Sequence, residues 1–184
     1  AKVTPQVLAA WAQLLREVPR SRLVILAHAV PSLCARVAEQ FAAQGVDPER
    51  VTVLNRCPRG EYLRQISQVD IALDPFPFNG HTTTCDALWQ GVPVVTLAGA
   101  TYASRFGSSA HAQLGLGELI AESTQAYVAI AAGLAGDLAR LQALRDELRP
   151  RMAASPLVDG VTFARQVEAA YRQMWHDWRQ QPSD

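Results

Sequence analysis

The chain has 184 residues, 17 lysines and arginines against 17 aspartates and glutamates, and a hydrophobic fraction of 49%. A formal net charge of zero gives no electrostatic attraction for nucleic acid or for an anionic membrane surface, so we expect neither partner. No apolar run reaches the roughly 18 residues that a membrane-spanning helix needs, and the first residues, AKVT, do not show the pattern of a signal peptide. We therefore expect one soluble, cytoplasmic domain, and the first residue, alanine rather than methionine, indicates a piece of a longer protein.

The cysteines limit the chemistry further. They are odd in number, far apart, and without a CxxC or paired-histidine pattern: Cys34, Cys57 and Cys85. This pattern indicates neither a disulfide framework nor a zinc site, and it is typical of a reducing compartment.

Short apolar runs alternate with amphipathic segments over the first hundred residues. In chain order the pattern predicts a helix over 5–18, a strand over 22–27, a helix over 32–43, a strand over 51–54, a helix over 59–68, a strand over 69–73, a helix over 81–90 and a strand over 92–97. Four alternations with short loops favour right-handed crossovers, and therefore an open, doubly wound parallel sheet of the Rossmann-like α/β class.

The strand signal weakens after residue 97. The pattern there predicts helices over 103–114, 123–133 and 137–153, a short edge strand over 119–121 and a terminal helix over about 160–181. The terminal helix carries an aromatic stripe, in which we interpret Trp175 and Trp178 as a packing anchor rather than a ligand cage. No linker or internal repeat divides the chain, so residues 1–184 are expected to form one lobe.

The most informative segment is DPFPFNGHTTTCDALWQG, residues 74–91. It follows a buried strand and begins a helix, so it lies at the carboxyl edge of the sheet, where doubly wound folds bind ligands. Gly80 permits a tight turn, after which His81, Thr82 and Thr83 bring free backbone N–H groups, hydroxyls and an imidazole to a helix N-terminus. This arrangement is typical of an anion site, because unpaired donors and the positive end of the helix dipole meet there.

Asp86 lies one helical turn further along, on the same face as Thr82 and Thr83. A carboxylate in that position can accept hydrogen bonds from both hydroxyls of a ribose, so the segment as a whole indicates a nucleoside diphosphate. Neither a Walker A sequence nor GxGxxG is present, which argues against ATP in a P-loop and against NAD. Taken singly, threonine and aspartate are also ordinary residues of a helix N-terminus, and only their combination behind a buried strand indicates a ligand.

A second polar cluster, NRCPR over residues 55–59, follows the second strand at the same edge of the sheet. Backbone groups around Cys57 could pair with the edge of a base while Arg59 stacks or donates. A solvated cationic helix cap explains the same residues equally well. His28 and His111 have no defined partner in the sequence, and we interpret both as structural.

The segment DPFPFNGHTTTCDALWQGVPVVTLAGATYASR resembles the donor-binding segment of the O-linked N-acetylglucosamine (O-GlcNAc) transferases, the family that also includes the SPINDLY proteins. The resemblance covers nearly the whole chain, including ASPL at 154–157, and we expect a bacterial homologue. It implies the C-terminal lobe of a two-lobed GT-B glycosyltransferase, whose N-terminal catalytic lobe and tetratricopeptide repeats are absent from this chain. It also implies transfer of N-acetylglucosamine from UDP-GlcNAc to serine or threonine, with UDP or UDP-GlcNAc, the N-terminal lobe and a protein acceptor as partners.

The same resemblance implies a role for each residue of the first segment. His81, Thr82 and Thr83 contact the diphosphate and sugar of the donor, and Asp86 holds its ribose. Lys2, in the sequence KVTP, matches the lysine that neutralises the diphosphate leaving group and is the expected catalytic residue.

Cys57 and Arg59 match the loop that holds the uracil. The chain departs from the pattern of the family at three positions: Arg59 replaces a lysine, Tyr62 stands where animal members carry a histidine, and Phe78 stands where we expect a small residue beside the sugar. The identity of the donor sugar is therefore left open.

The expected mechanism is inverting and independent of metal. Displacing UDP requires stabilisation of the negative charge that develops on the β-phosphate, and preorganised hydrogen-bond donors can supply it as a metal does. No DxD motif is present, so we expect no metal and no cofactor, and we expect the chain alone to bind UDP weakly and to transfer nothing. Two alternatives stay open: a GT-B transferase for another sugar or a non-protein acceptor, and a non-catalytic nucleotide-sensing module.

Overall fold

The computed structural model describes residues 2–27 and 29–180. Within these ranges the chain forms eight α-helices: α1 Pro5–Glu17, α2 Pro31–Ala42, α3 Arg59–Ser67, α4 Thr82–Trp89, α5 Phe106–Leu114, α6 Thr124–Gly136, α7 Leu138–Ala153 and α8 Gly160–Gln180. The same residues form five short strands: β1 Leu23–Leu26, β2 Val51–Leu54, β3 Ala72–Leu73, β4 Val94–Leu97 and β5 Ile120–Ala121. All strand pairings among them are parallel, so the predicted α/β class with parallel strands is confirmed.

Helix α1 shows how the sequence sets a helix boundary. Thr4 Oγ1 accepts a hydrogen bond from the Val7 backbone N–H (3.3 Å), and Pro5 occupies the first turn, where its missing N–H needs no partner. Val7 and Trp11, four residues apart, are buried on the same face. Thr4 Oγ1 also donates to the Phe76 carbonyl oxygen (3.5 Å), so the segment before α1 is fixed beside the loop that follows β3.

The strands are hydrogen bonded into two sheets, where we expected a single sheet. β1 pairs with β2, with Leu23 opposite Val51, and β4 lies between β3 and β5, with Ala72 opposite Val94. A cavity of about 960 Å³ lies between the two sheets and is lined by residues of both. Because β3 and β4 are parallel neighbours, their carboxyl ends share one edge, and the loops that lead to α4 and α5 leave from that edge.

Strand β3 is shorter than the strand predicted over 69–73, because the first residue of that stretch is bonded elsewhere. The Val69 N–H donates to the Ile66 carbonyl in the last turn of α3 (2.9 Å), and the Val69 carbonyl accepts from Arg145 Nη1 (2.7 Å). Main-chain groups with such partners are not available to a neighbouring strand.

Two apolar clusters hold the layers together. The first joins α1, β1, α2 and α6 around Phe41 and Tyr127, both fully buried. The second joins α4, β4 and α7 around Leu88 and Leu144, which are also fully buried. Ile130 of α6 packs against both clusters, so the two halves of the core are continuous.

Helix α8 confirms the predicted terminal helix up to residue 180, but its apolar stripe lies outside the core. None of its described residues is buried, and Trp175 and Trp178 are 56% and 61% exposed. The two indole rings stack on each other with centroids 5.1 Å apart. The interpretation of this pair as a packing anchor is therefore wrong for the described residues, because both indoles are exposed and belong to neither cluster.

None of the helices in the described part of the chain is long and apolar enough to cross a membrane.

Candidate functional site

The candidate site forms where the loop after β3 enters α4. His81 stands at the cap position, and its side chain makes no capping hydrogen bond. Thr82 and Thr83 are exposed at this end of the helix, whereas Thr84 is buried. The first N–H groups of a helix have no partner inside the helix, so donors and the positive end of the helix dipole meet at the carboxyl edge of the sheet. A helix beginning with this geometry can bind an anion.

Position 80 has no room for a side chain, although its backbone conformation would allow other residues. A Cβ atom at this position would lie 2.5 Å from Thr83 Oγ1 and 2.6 Å from Thr84 Oγ1. Its φ is not positive, unlike that of Gly91 at the other end of the helix. Any side chain at Gly80 would therefore displace the threonine hydroxyls.

The His81 ring is held by aromatic packing. Its centroid lies 4.2 Å from that of Phe106, 5.9 Å from that of Tyr102 and 6.2 Å from that of Phe78. The Nε2 atom is buried and has no hydrogen-bond partner among the described residues. A buried polar atom normally has a partner, so this nitrogen is available to a polar atom of a ligand.

Lys2 lies at the same loop although it is far from it in sequence. Its Nζ donates to the Asn79 carbonyl (2.8 Å) and lies 4.6 Å from the centroid of the Phe78 ring. The second contact has cation–π geometry. The Asn79 N–H donates in turn to the Ala103 carbonyl (2.8 Å), which fixes the loop that carries the lysine. The structure thus brings the predicted catalytic lysine to the residue before Gly80.

Asp86 and Arg59, predicted to serve the ribose and the base, contact each other. Arg59 Nη2 donates to Asp86 Oδ1 (2.8 Å) and Nη1 donates to Oδ2 (3.3 Å). Asp86 is 8% exposed, whereas the Arg59 side chain is 65% exposed. Two charge-assisted bonds to one guanidinium give a fixed geometry. The carboxylate that we expected to be free for a ribose therefore already has a partner on both oxygens.

Tyr62 and Cys57 lie on the same side of the site as the Asp86–Arg59 ion pair. The Tyr62 hydroxyl is buried near Asp86, and burial, with the charge of Asp86, raises the pKa of Tyr62 to about 12. Cys57 Sγ lies 3.7 Å from Gln65 Oε1 and is a free thiol. The Cys57 side chain is thus engaged with α3, the helix that follows its own loop.

One residue of the site was missed by sequence reasoning. Asp74 directly follows β3 and is 3% exposed. Its Oδ1 accepts from the Gly80 N–H (2.6 Å), and its Oδ2 accepts from Thr96 Oγ1 (2.9 Å). Burial raises the pKa of Asp74 to about 6, although both hydrogen bonds and the charge of Lys2 act in the opposite direction. The available signal was an acidic residue that ends an apolar strand and immediately precedes the loop.

The remaining predictions concern histidine and metal. His111 is fully buried, with Nδ1 2.7 Å from the Gly107 carbonyl and Nε2 2.6 Å from the Val94 carbonyl, and burial lowers its pKa. It links α5 to β4, which confirms a structural role.

His28 lies outside the described residues. Across residues 2–27 and 29–180, no group of three or more histidine, cysteine, aspartate or glutamate side chains is arranged to hold a metal ion.

Parallel strands with a polar helix N-terminus at their carboxyl edge place the domain in the Rossmann-like α/β class. The model of a known family, described as glycosyl transferase family 41, matches residues 1–167. The chain belongs to glycosyl transferase family 41.

Individual relatives agree with this assignment. The chain is 44% identical over 180 residues to a protein of Oryza sativa subsp. japonica named probable UDP-N-acetylglucosamine–peptide N-acetylglucosaminyltransferase SPINDLY, covering 95% of the chain and 19% of that protein. It is 35% identical to the protein SEC of Arabidopsis thaliana, which has the same enzyme name, over 98% of the chain and 19% of the relative. A solved structure of a Thermobaculum terrenum O-GlcNAc transferase mutant superposes with a TM-score of 0.91 at 39% identity, covering 96% of this chain and 34% of that one. The chain thus spans about a fifth of the length of these curated relatives.

Proposed function

We propose that this chain is the donor-binding, C-terminal lobe of a GT-B O-GlcNAc-type transferase that takes UDP-GlcNAc and modifies serine or threonine of proteins. The observation that carries the proposal is the beginning of α4, where free N–H donors lie at the carboxyl edge of the sheet between Lys2 and Asp86. The names of the relatives, which specify UDP-N-acetylglucosamine and a peptide, support the donor and the protein acceptor. We propose that an N-terminal lobe and the acceptor cleft lie in a part of the longer protein that this chain does not include, since the chain covers 19% of each of these relatives.

The diphosphate of the donor is proposed to lie on the first turn of α4. The N–H groups and hydroxyls of Thr82 and Thr83 would donate to its oxygens, and the Lys2 ammonium would neutralise the charge that develops when UDP leaves. Since these donors are fixed before the reaction, they stabilise the leaving group without reorganisation and without a metal. Direct attack by an acceptor hydroxyl from the opposite face would invert the anomeric carbon.

The nucleoside is proposed to lie over α3 and the second turn of α4. Asp86 would accept from the ribose hydroxyls, and the loop with Cys57 and Arg59 would hold the uracil. Because Arg59 binds both oxygens of Asp86, the ribose must either use the remaining lone pairs of the carboxylate or displace the guanidinium. The exposed guanidinium can move into solvent at small cost, since surface ion pairs are weak.

A second candidate function, transfer of another sugar, is favoured by one observation. Phe78 is 46% exposed and lies against the ammonium of Lys2, next to the position proposed for the sugar. A bulky ring there reduces the room for a substituent such as an N-acetyl group. The choice between sugars therefore depends on a measurement of donor preference.

Calorimetric titration of the 184-residue chain with UDP, UDP-GlcNAc, UDP-glucose and GDP tests the proposal. We expect saturable binding of the uridine nucleotides, with UDP-GlcNAc bound at least as tightly as UDP-glucose, and no transfer of sugar by this chain alone. Preference for UDP-glucose would favour the second candidate. Absence of binding to any of the four nucleotides would contradict donor binding altogether. Binding of UDP without turnover of any UDP-sugar by the longer protein would indicate a non-catalytic sensing module.

A further inference from the structure

Asp74 is a buried acidic side chain that no step of the proposed mechanism uses. It lies directly beneath the turn that leads into α4, at 3% exposure. An ionised carboxylate in such a position loses most of its hydration and is retained only where specific donors replace the water. Asp74 has two such donors, one on the loop and one on β4.

The two donors hold the carboxylate between the loop and the sheet. The Gly80 N–H donates to Oδ1 at 2.6 Å, and the Thr96 hydroxyl donates to Oδ2 at 2.9 Å. The first distance is that of a short, charge-assisted hydrogen bond. Because Gly80 immediately precedes His81, this bond fixes the direction in which the chain enters α4.

The space around the carboxylate shows that the position is closely fitted. A Cβ atom at Gly107 would lie 2.6 Å from Asp74 Oδ2 and 2.2 Å from Thr96 Oγ1. A Cβ atom at Gly80 would lie 3.2 Å from Asp74 Oδ1. Two glycines therefore leave room for one carboxylate beside the beginnings of α4 and α5.

The backbone of Asp74 is anchored from the opposite side. The Tyr127 hydroxyl of α6 donates to the Asp74 carbonyl oxygen (3.1 Å), and Trp11 Nε1 of α1 donates to the same hydroxyl (3.2 Å). The side chain that holds Gly80 is thus itself fixed by two helices of the first apolar cluster. Asp74 therefore connects the loop at Gly80 to the buried Tyr127 and Trp11 side chains.

We propose that Asp74 is a positioning residue for the donor: its carboxylate binds the Gly80 N–H and so aims the free donors at the beginning of α4 toward the diphosphate. The inference rests on the proposed function, since it assumes that a diphosphate binds at α4. Asp74 itself touches no substrate in this arrangement, because its two oxygens face Gly80 and Thr96. Among the described residues, the charge that acts on Asp74 is that of Lys2, before α1, and the charge of Asp74 in turn raises the pKa of the Tyr127 hydroxyl on α6.

Three variants separate positioning from a general loss of stability. Asp74→Ala removes the bond to Gly80 and is expected to weaken UDP binding about tenfold. Asp74→Asn retains a neutral acceptor and is expected to weaken it about threefold, because hydrogen bonds to neutral groups are roughly half as strong. Thr96→Val removes only the bond to Oδ2, so it is expected to lower the melting temperature while UDP affinity stays within about twofold of the parent.

The Gly80 amide proton gives a direct spectroscopic readout of the same bond. In the parent it should resonate far downfield, move upfield as the carboxyl is protonated below pH about 6, and lose that pH dependence in Asp74→Asn. This signal reports the hydrogen bond itself, whereas UDP affinity separates the two roles: a merely structural Asp74 would give equal UDP affinity in Asp74→Asn and Thr96→Val.

The outcomes distinguish this inference from the proposed function. If the parent chain does not bind UDP, the proposed function fails and the positioning role fails with it. If the parent binds UDP but Asp74→Ala binds it equally well, or Asp74→Asn binds it more tightly, only the positioning role is overturned. If Asp74→Ala does not fold, the ratio of the UDP affinities of Asp74→Asn and Thr96→Val is the test. Equal UDP affinities of these two variants would overturn the inference.

Discussion

The two acidic residues beside the beginning of α4 have opposite environments. Asp74 is surrounded by neutral donors, and burial raises its pKa to about 6. Asp86 lies one turn inside α4 and binds a guanidinium through both oxygens. Environments that differ in this way are typical of carboxylates with different tasks in one site. We propose that the first supports the loop and that the second contacts the donor.

Replacement of Asp86 by asparagine is expected to weaken UDP binding about tenfold. The change removes the charge and turns one acceptor into a donor, so at least one charge-assisted hydrogen bond to a ribose hydroxyl is lost, and such a bond contributes roughly 1.5–3 kcal/mol. Isothermal titration calorimetry with UDP measures the effect. Asp146→Asn, the same change at an exposed residue of α7, is the matched control. Equal affinity of Asp86→Asn and the control would contradict the ribose role.

The pKa of Asp74 predicts a dependence of stability on pH. The value rises from its ordinary 3.8 to about 6, so the folded chain binds this proton more tightly than the unfolded chain does. The resulting stabilisation is fully present below pH about 4 and is lost as the pH rises through 6. Asp74→Asn cannot ionise, and its free energy of unfolding relative to the parent should therefore increase between pH 4 and 7. Urea unfolding at several pH values measures this difference. If Asp74→Asn and Asp146→Asn both differ from the parent by a constant amount, the assignment is wrong.

Among the elements, α4 is the one whose beginning determines the site. Gly80→Ala would bring a methyl group to within 2.6 Å of the hydroxyls of Thr83 and Thr84, so these side chains must move. We expect UDP binding to weaken at least fivefold. Gly133→Ala is the control, since a Cβ at this exposed position of α6 meets nothing within 4 Å and should stabilise the helix by roughly 0.5–1 kcal/mol. Unchanged UDP affinity in a folded Gly80→Ala protein would show that the turn does not shape the site.

Helix α8 is expected to contribute little to the stability of the domain. It has no buried residue within its described length, although its aromatic side chains are large. Ending the chain after Asp159 should shift the melting temperature by no more than about 2 °C, the scale of a surface change in a domain of this size. Differential scanning calorimetry provides the measurement. A fall of more than 5 °C would show that α8 packs against the domain in solution.

Elements were predictable from the sequence because each has local signals. The strand over 51–54 and the helices after Thr4 and Gly80 follow from apolar spacing, caps and glycines, and the structure confirms them. Contacts across long sequence separations were not predictable in the same way. Periodicity places Asp86 on a helix face, but it does not show that Arg59, 27 residues earlier, binds its carboxylate. Likewise, the burial of Asp74 depends on Thr96 of a neighbouring strand, and the apolar stripe of α8 does not show that residues 160–180 remain unburied.

For the whole molecule, a zero net charge is compatible with binding of a diphosphate because the relevant potential is local. The positive end of α4 and the single lysine of the chain lie at one edge, whereas the ion pairs of α7 and α8 are solvent-exposed. The core behind that edge is continuous through Ile130, which gives the loop a rigid support. The domain accounts for about a fifth of its curated relatives, so its proposed task is to bind and orient the donor.

Nuclear magnetic resonance of the isotope-labelled chain during a titration with UDP tests donor binding at α4 most directly. The largest shifts are expected at the backbone amides of Thr82, Thr83 and Thr84, with smaller shifts at Asp86 and Arg59. The amides of α8 serve as an internal control and should not move. Shifts confined to other surfaces, or no shift at saturating UDP, would contradict the proposal that α4 binds the diphosphate of the donor.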